Sequence, residues 1–217
     1  MPDSAVLCDP YLRGYPIDGV AISTLGRTFG GETIAASDPT AARLDEIQLD
    51  LGQGPCWDAI AAGVPVSLVD LDSESRWPLF AEAVDALDVR SVFAFPLTFA
   101  GISIGAVDLY TRVPVTLDDA VLSEISAQSP ATSLRVLAAV LHDDADDESS
   151  NPGSRRVVHQ ATGMIIARYG LDSDDALVLL RAHAFTQHRP LVEVARDIVT
   201  RRDGFPDRPL TAQDGSW

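Results

Sequence analysis

Residues 91–110 read SVFAFPLTFAGISIGAVDLY. The first part of this stretch is mostly apolar, and from Ile102 onward apolar residues alternate with smaller or polar ones, a pattern that predicts β-strands. Ala100 and Gly101 separate the two runs, and a glycine in so short a connection is typical of a turn. The stretch therefore predicts two long strands, residues 91–99 and 102–110, joined at Ala100-Gly101.

The neighbouring residues predict further strands and helices. Residues 19–25 and 31–37 form a predicted hairpin around the glycines of 26–30, and residues 65–69 form another strand. Strands interleaved with helices, but joined partly by hairpins, favour the α+β class with an antiparallel sheet. The predicted helices are residues 5–15 (shortened and broken by Pro10), 40–49, 56–62, 76–87 and a long helix 117–141 with apolar positions at Leu117, Val121, Leu122, Ile125, Leu134, Leu137 and Leu141.

Three segments carry a family resemblance: LGQGPCWDA at 51–59, RWPLF at 76–80, and the paired strands at 91–110. Together they resemble GAF domains, and more narrowly those of actinobacterial regulators, over about residues 5–140. The resemblance implies an antiparallel sheet with flanking helices and a signal-binding pocket between the sheet and its covering helices. The side chains that we expect at this pocket are Cys56, Trp57, Phe93, Phe95, Asp108 and Tyr110.

The residue types restrict what this pocket could hold. Haem normally needs an axial His or Cys, and all four histidines lie after residue 141. The lysine-containing motif of cyclic-nucleotide-binding GAF domains cannot occur, because the chain has no lysine. Cys56 fits either a small buried packing residue, as free cysteines often are, or a sensor thiol. We therefore expect no cofactor, and a small-molecule or protein signal whose identity stays open.

From Val157 onward the pattern is purely helical. A first helix ends at Tyr169-Gly170, where glycine is a stop signal, and a second follows an N-cap at Asp172 or Ser173. Pro190 is expected to begin a third helix, since its missing N–H costs nothing there. The predicted packing positions are Val157, Val158, Ala161, Met164, Ile165 and Arg168, then Ala176, Leu177, Leu180 and Ala184, then Leu191, Val194, Ala195, Ile198 and Val199.

The formal charge of −16 is distributed unevenly along the chain. A negative net charge by itself argues against a nucleic-acid partner, because a protein that binds nucleic acid has to neutralise phosphates with positive side chains. However, residues 1–140 carry 7 Arg and 19 acids, and residues 141–154 carry 5 acids and no base. Residues 155–202 carry 8 Arg against 5 acids. An acidic body with a mildly basic, wholly arginine-based end is the asymmetry expected of a nucleic-acid-facing module.

Residues 159–202 strongly resemble the ANTAR domain, an RNA-binding three-helix module of transcription antiterminators. The resemblance implies that dimers act, each protomer taking one hexanucleotide loop of a dual stem-loop antiterminator. At two positions where the family often has a basic residue and a methionine, this chain has Thr162 and Ile166. The matching positions are Ala161, Gly163, Met164, Ile165, Ala176, Leu180, Arg181, Ala184, Leu191, Val194 and Ala195.

RNA loops are recognised by stacking bases on aromatic or guanidinium planes, and arginine also grips phosphates. Gly163 and the alanines equally fit packing positions, where a small residue lets helices approach. Arginines in a last helical turn can simply complement the helix dipole. The candidate RNA-binding residues are Arg155, Arg156, His159, Gln160, Thr162, Gly163, Arg168, Arg181, His188 and Arg189.

The predicted organisation has four parts. A GAF sensor domain covers residues 5–141, an acidic linker 142–154, the ANTAR domain 155–204 and a polar tail 205–217. Five acids in the linker should repel one another and resist helix or strand. The linker is either a solvated connection or a phosphate mimic that shields the basic helices.

We expect a cytoplasmic, dimeric transcription regulator without enzymatic activity. The chain lacks a signal-peptide pattern and any run of about 18 apolar residues. Two lone cysteines form neither a disulfide framework nor a tetrahedral metal site, and no catalytic triad order, P-loop or calcium loop occurs. The alternative is a DNA-binding helix-turn-helix factor with a GAF sensor. A recognition helix needs base-contacting residues in its first turn, and the third helix has Leu191, Val192 and Glu193 there, which are poorly suited to contact bases.

Overall fold

The computed structural model describes residues 4–26, 30–146, 154–187 and 189–200, with the side chains of 142–146 and 154–156 left aside. The chain divides into two compact units, unit 1 (Met1–Asp147) and unit 2 (Glu148–Trp217). In unit 1 the elements are α1 (Ser4–Leu12), β1 (Gly19–Thr24), β2 (Glu32–Ala36), α2 (Pro39–Leu51), α3 (Pro55–Ala62), β3 (Val66–Leu68), α4 (Pro78–Val84), β4 (Ser91–Phe99), β5 (Ile102–Thr111), α5 (Asp119–Ser126) and α6 (Ser129–Asp146). Unit 2 contains α7 (Ser154–Tyr169), α8 (Ser173–Thr186) and α9 (Leu191–Val199).

The strands form one antiparallel sheet in the order β2-β1-β5-β4-β3. The α+β class and both predicted hairpins are thus confirmed. Ala100 (φ 49°) and Gly101 (φ 79°) make the predicted turn between β4 and β5. Side chains alternate across the sheet, so one face of the sheet packs on α1, α5 and α6, and the other on α2, α3 and α4.

The prediction of one long helix over 117–141 is wrong, because the chain breaks between α5 and α6. Pro130 lies at the start of α6, and a proline disfavours helix in the residue before it. The buried positions of α6 are Thr132, Ser133, Val136 and Val140, whereas the predicted positions Leu134 and Leu141 are exposed.

Pro10 does not break the first helix, contrary to the prediction. It lies inside α1, which runs on to Leu12. A proline inside a helix leaves the carbonyl four residues earlier without its usual donor. Here that carbonyl belongs to Val6, and it accepts a hydrogen bond from Arg135 Nη1 at 3.3 Å. The partner from α6 therefore offsets the cost of the proline.

The acids at 143–146 were expected to resist helix formation, but they are the last residues of α6. Helix propagation is much easier than nucleation. The packed residues Val136 and Val140 hold the preceding turns on the sheet, so that the helix extends into the acids. The rest of the predicted linker, residues 147–153, lies outside the described residues.

The described residues of unit 2 form a three-helix bundle around Ala161, Ile165, Leu180, Val194 and Ala195. The predicted stop and cap are confirmed. Gly170 (φ 68°) donates its N–H to the Ile166 carbonyl at 2.9 Å, and Asp172 Oδ1 accepts from the Asp175 N–H at 2.9 Å. Pro190 precedes the third helix, which begins at Leu191.

Candidate functional site

One side of α7 is exposed between residues 159 and 168. Met164 and Arg168, which were expected to pack inward, lie on this side. The opposite side carries the buried residues Ala161, Thr162 and Ile165. Arg168 lies over the ring of Tyr169, with 5.7 Å between the guanidinium carbon and the ring centre. We call the exposed set the α7 strip: His159, Gln160, Gly163, Met164, Ala167 and Arg168.

Gly163 is the most informative residue of the α7 strip. A Cβ built at this position would meet no heavy atom within 4 Å outside its own helix turn. The packing explanation for this glycine is therefore wrong for the described residues of unit 2. A glycine inside a helix costs about 1 kcal/mol relative to alanine. Because no described residue of the unit fills the space of the missing side chain, the bare backbone is open to close approach by a partner.

Thr162 is directed into the bundle instead. Its side chain is 7% exposed, and its hydroxyl donates to the Val158 carbonyl at 2.8 Å. A threonine that back-bonds within its own helix and is covered by packing does not present its hydroxyl to a ligand. Thr162 therefore adds no hydrogen-bonding group to the α7 strip.

Arg189 is engaged within unit 2. Its Nη2 lies 2.6 Å from Asp197 Oδ2 and 3.8 Å from Glu193 Oε2, and its Nη1 donates to Gln187 Oε1 at 3.3 Å. These contacts neutralise the guanidinium and fasten the α8–α9 connection to α9. Arg181 is half-buried on α8. Arg155 and Arg156 belong to the first turn of α7, but their side chains and His188 lie outside the described residues.

The pocket residues predicted in unit 1 do not come together. Ala94 pairs with Asp108 across β4 and β5, so the side chain of Asp108 shares a face with Ala94. Phe93 and Phe95 point to the other face and pack in the core under α1 and α6. Cys56 and Tyr110 lie on the Asp108 side, and Trp57 packs against the cluster there that includes Cys56.

A buried polar cluster occupies that second face. Gln48 connects it: Nε2 donates to Asp108 Oδ2 at 2.9 Å, and Oε1 accepts from the Cys56 N–H at 3.0 Å. The Gln48 carbonyl also accepts from Trp57 Nε1 at 2.8 Å. A Cβ at Gly54 (φ 134°) would collide with the Gln48 side chain. We call Ser23, Asp45, Gln48 and Asp108 the buried polar cluster.

Two carboxyl groups in this cluster have raised pKa values. Burial raises the pKa of Asp45 to about 6, although the hydrogen bond from Thr33 and the nearby hydroxyl of Ser23 lower it in part. Burial also raises the pKa of Asp108 well above its usual range, and the charge of Asp45 adds to that effect. Burial raises the pKa of the Cys56 thiol as well. A buried thiol held in its protonated form is unreactive, which fits the packing explanation of Cys56.

Sequence reasoning missed Ser23, Asp45 and Gln48. The signal was present in α2, where Ala41, Leu44 and Gln48 follow one apolar helical stripe with Asp45 beside them. A carboxylate and an amide on a buried stripe need partners. Those partners come from β1, β2 and β5, so only the assembled sheet identifies them.

Comparison with known families identifies the type of domain in unit 2. The ANTAR domain model matches residues 151–199. Residues 151–199 form an ANTAR domain. ANTAR domains are RNA-binding modules of antitermination regulators, so the α7 strip lies on an element of an RNA-binding domain. No curated protein matches the chain significantly.

Unit 1 has the fold of GAF domains. It is similar to the GAF domain region of a Geobacter sulfurreducens PCA protein, with a TM-score of 0.50 and 13% identity over 62% of this chain and 89% of that one. Two further similar structures are a type II free methionine-R-sulfoxide reductase from Thermoplasma acidophilum (TM-score 0.47, 16% identity, 62% and 89% covered) and GAF3 from Slr1393 of Synechocystis sp. PCC6803 (TM-score 0.48, 13% identity, 66% and 97% covered). The narrower resemblance to actinobacterial regulators stays a prediction.

Two further properties concern the described residues only. None of their helices is long and apolar enough to cross a membrane. Within the same ranges, no group of three or more His, Cys, Asp or Glu side chains is arranged to hold a metal ion.

Proposed function

We propose that this chain is a one-component transcription regulator. Its ANTAR domain binds stem-loops in nascent RNA, prevents the terminator from forming, and is controlled by a signal at the GAF unit. The chain itself performs no catalysis and acts in the cytoplasm. The observation that carries the proposal is the α7 strip of the ANTAR domain, where an open glycine lies between His159 and Gln160 on one side and Arg168 on the other.

The arrangement of unit 2 favours RNA over DNA. A DNA recognition helix presents its first turn to the base edges of the major groove. In α9 that turn contains Leu191, which is buried, and Val192, which is half-buried. The α7 strip offers instead a guanidinium, two polar side chains and bare backbone, which suit the unstacked bases of an RNA loop.

Filter binding tests the proposal directly. The full chain is titrated at low salt with an RNA of two tandem hairpins and with the same RNA after both loops are replaced. We expect affinity for the first RNA only. Absence of binding to the dual hairpin at low salt would refute RNA recognition.

The Gly163→Ala variant should separate stability from binding. Alanine is the better helix former and its Cβ meets open space, so unit 2 should gain about 1 kcal/mol in its free energy of unfolding. The same methyl group keeps RNA away from the α7 backbone. We expect affinity for the dual hairpin to fall about tenfold or more, equivalent to about 1.4 kcal/mol.

Val178→Ala provides the matched control. Val178 is exposed on α8, outside the α7 strip, and the change also improves helix propensity. This variant should bind RNA like the wild type. If Gly163→Ala is more stable and binds RNA with unchanged affinity, the α7 strip is not the RNA surface.

We further propose that the active form is a homodimer joined through α6. Its outer side carries exposed apolar residues at the three- and four-residue spacing of a coiled-coil seam: Ala131, Leu134, Ala138 and Leu141. The only charged residue between 129 and 141 is Arg135. Two copies of an acidic unit repel least where acids are missing, so this seam favours a second copy.

Replacing Leu134 and Leu141 by Glu should produce monomers, because four like charges would then face one another in the seam. Sedimentation velocity measures the change, and affinity for the dual hairpin should fall while affinity for one hairpin is kept. Leu79→Glu, at an exposed position of α4, is the control. A double variant that still sediments as a dimer would place the interface elsewhere.

A further inference from the structure

Of the buried oxygen atoms in unit 1 that have no hydrogen-bond partner among the described residues, three belong to the buried polar cluster. They are Ser23 Oγ, Asp45 Oδ1 and Asp108 Oδ1. They come from β1, α2 and β5, and each of the three residues is at most 1% exposed. Buried polar atoms are nearly always paired, so three unpaired oxygens in one region point to a missing partner.

The other oxygen of each carboxyl group is already held. Thr33 Oγ1 donates to Asp45 Oδ2 at 2.5 Å, and Gln48 Nε2 donates to Asp108 Oδ2 at 2.9 Å. Gln48 is itself fixed by the Cys56 N–H. Neutral donors that orient one carboxylate oxygen and leave the other available are the usual outer shell of a metal ligand.

The three residues are neighbours in space. Gln48, one turn after Asp45 on α2, donates to Asp108. Thr33, which donates to Asp45, pairs with Ser23 across β1 and β2. Among the residues that the structure describes, no arginine or histidine is among the groups that act on either carboxyl. Buried carboxylates without a counter-charge are strongly unfavourable, so the pair is either protonated or neutralised by a bound cation.

We propose that Asp45, Asp108 and Ser23 bind a hard divalent cation, of the Mg²⁺, Ca²⁺ or Mn²⁺ class, between the sheet and α2 of the GAF unit. Two carboxylates balance a double positive charge, and three oxygen donors select hard cations over softer ones. Only two of these three protein ligands are carboxylates, and the site has no further His, Cys, Asp or Glu ligand among the described residues. Water molecules therefore complete the coordination of the cation, as Mg²⁺ in particular allows.

This inference specifies the signal class of the proposed sensor, but it concerns unit 1 alone. Cation binding tests this inference, whereas RNA binding tests the proposed function. A negative result in one experiment therefore does not affect the interpretation of the other.

Thermal unfolding of the full chain tests the site. In a Trp217→Phe background, the fluorescence of Trp57 and Trp77 follows unit 1 at pH 7.5 in chelator or in MgCl₂, CaCl₂ or MnCl₂ at matched ionic strength. The binding cation should raise Tm by about 4 °C at tenfold its Kd. Asp108→Asn and Asp45→Asn should abolish this rise, and Ser23→Ala should shift it to higher cation concentration. Glu82→Gln, which removes one exposed acid, should keep it.

Terbium luminescence provides a second measurement that does not depend on stability. Trp57 is hydrogen-bonded to Gln48 beside the cluster, so bound Tb³⁺ should be sensitised by this tryptophan. The emission should disappear in Asp108→Asn and in Trp57→Phe, and persist in Trp77→Phe. If Tm responds equally in wild type and Asp108→Asn, or the emission survives Asp108→Asn, the pair is neutralised by protons only and the proposal is wrong.

Discussion

Gly105→Ala should unfold or severely destabilise unit 1. Gly105 lies in β5 and pairs with Thr24 of β1 and Leu97 of β4. A Cβ there would lie 1.8 Å from the Ser23 carbonyl oxygen and 2.8 Å from the Thr24 Cα. These are backbone atoms, so no side-chain rotation relieves the overlap. We expect a loss on the order of 3 kcal/mol or more in the free energy of unfolding.

Chemical denaturation followed by Trp57 and Trp77 fluorescence measures this loss. Gly101→Ala is the matched control, because Gly101 has φ +79° and open space around it. In that variant only backbone strain lowers the free energy of unfolding, by about 1 kcal/mol. Equal losses in the two variants would show that β1 can move away from β5, and that the close approach is not required.

Asp108→Asn should make unit 1 more stable at neutral and alkaline pH. Asp108 has its pKa raised by burial and by the charge of Asp45, while an unfolded Asp has a pKa of about 3.9. The stabilising contribution of the neutral acid is complete below that value and is lost as pH rises through the folded pKa. Each such group lowers stability by up to about 1.4 kcal/mol per pH unit in this range.

Asparagine keeps the shape of Asp108 without the charge. Its carbonyl can still accept from Gln48, and its amide is a donor for the neighbouring Asp45 carboxylate. Urea unfolding in chelator between pH 4 and 8 should show wild-type stability falling more steeply than that of Asp108→Asn. Asp45, with a pKa raised to about 6, should leave a residual slope in the variant. Glu82→Gln should parallel the wild type, and parallel curves for wild type and Asp108→Asn would contradict the prediction.

The two units depend on polar groups in opposite ways. In the ANTAR domain, polar residues of the α7 strip lie at the surface, where RNA would meet them. In the GAF unit, the chain's own Gln48 and two acids are buried between the sheet and α2. A signal that reaches this interior has to interact with carboxyl groups, which favours protons and cations over large apolar ligands.

Local patterns predicted most of the elements of this protein, although not the break between α5 and α6. The alternation at 91–110 predicted β4 and β5, and Gly170 and Asp172 marked the boundary between α7 and α8. The stripe of Leu191, Val194 and Ala195 predicted α9. These features depend on residues within one or two turns of one another, because periodicity and capping are local effects.

Which side chains contact one another depends on long-range packing. Ser23, Asp45 and Asp108 are far apart in sequence. The register of β1 on β5 brings Ser23 and Asp108 to the same face of the sheet, and the packing of α2 on that face adds Asp45. Phe93 and Phe95 were separated from Asp108 by the register of β4 on β5. Which side of α6 faces the sheet, and whether Gly163 packs or lies open, depend on neighbours that no local pattern specifies. Local patterns predicted most of the elements and the ANTAR match of residues 151–199, while long-range packing determined the site, because burial and pairing are properties of the assembled chain.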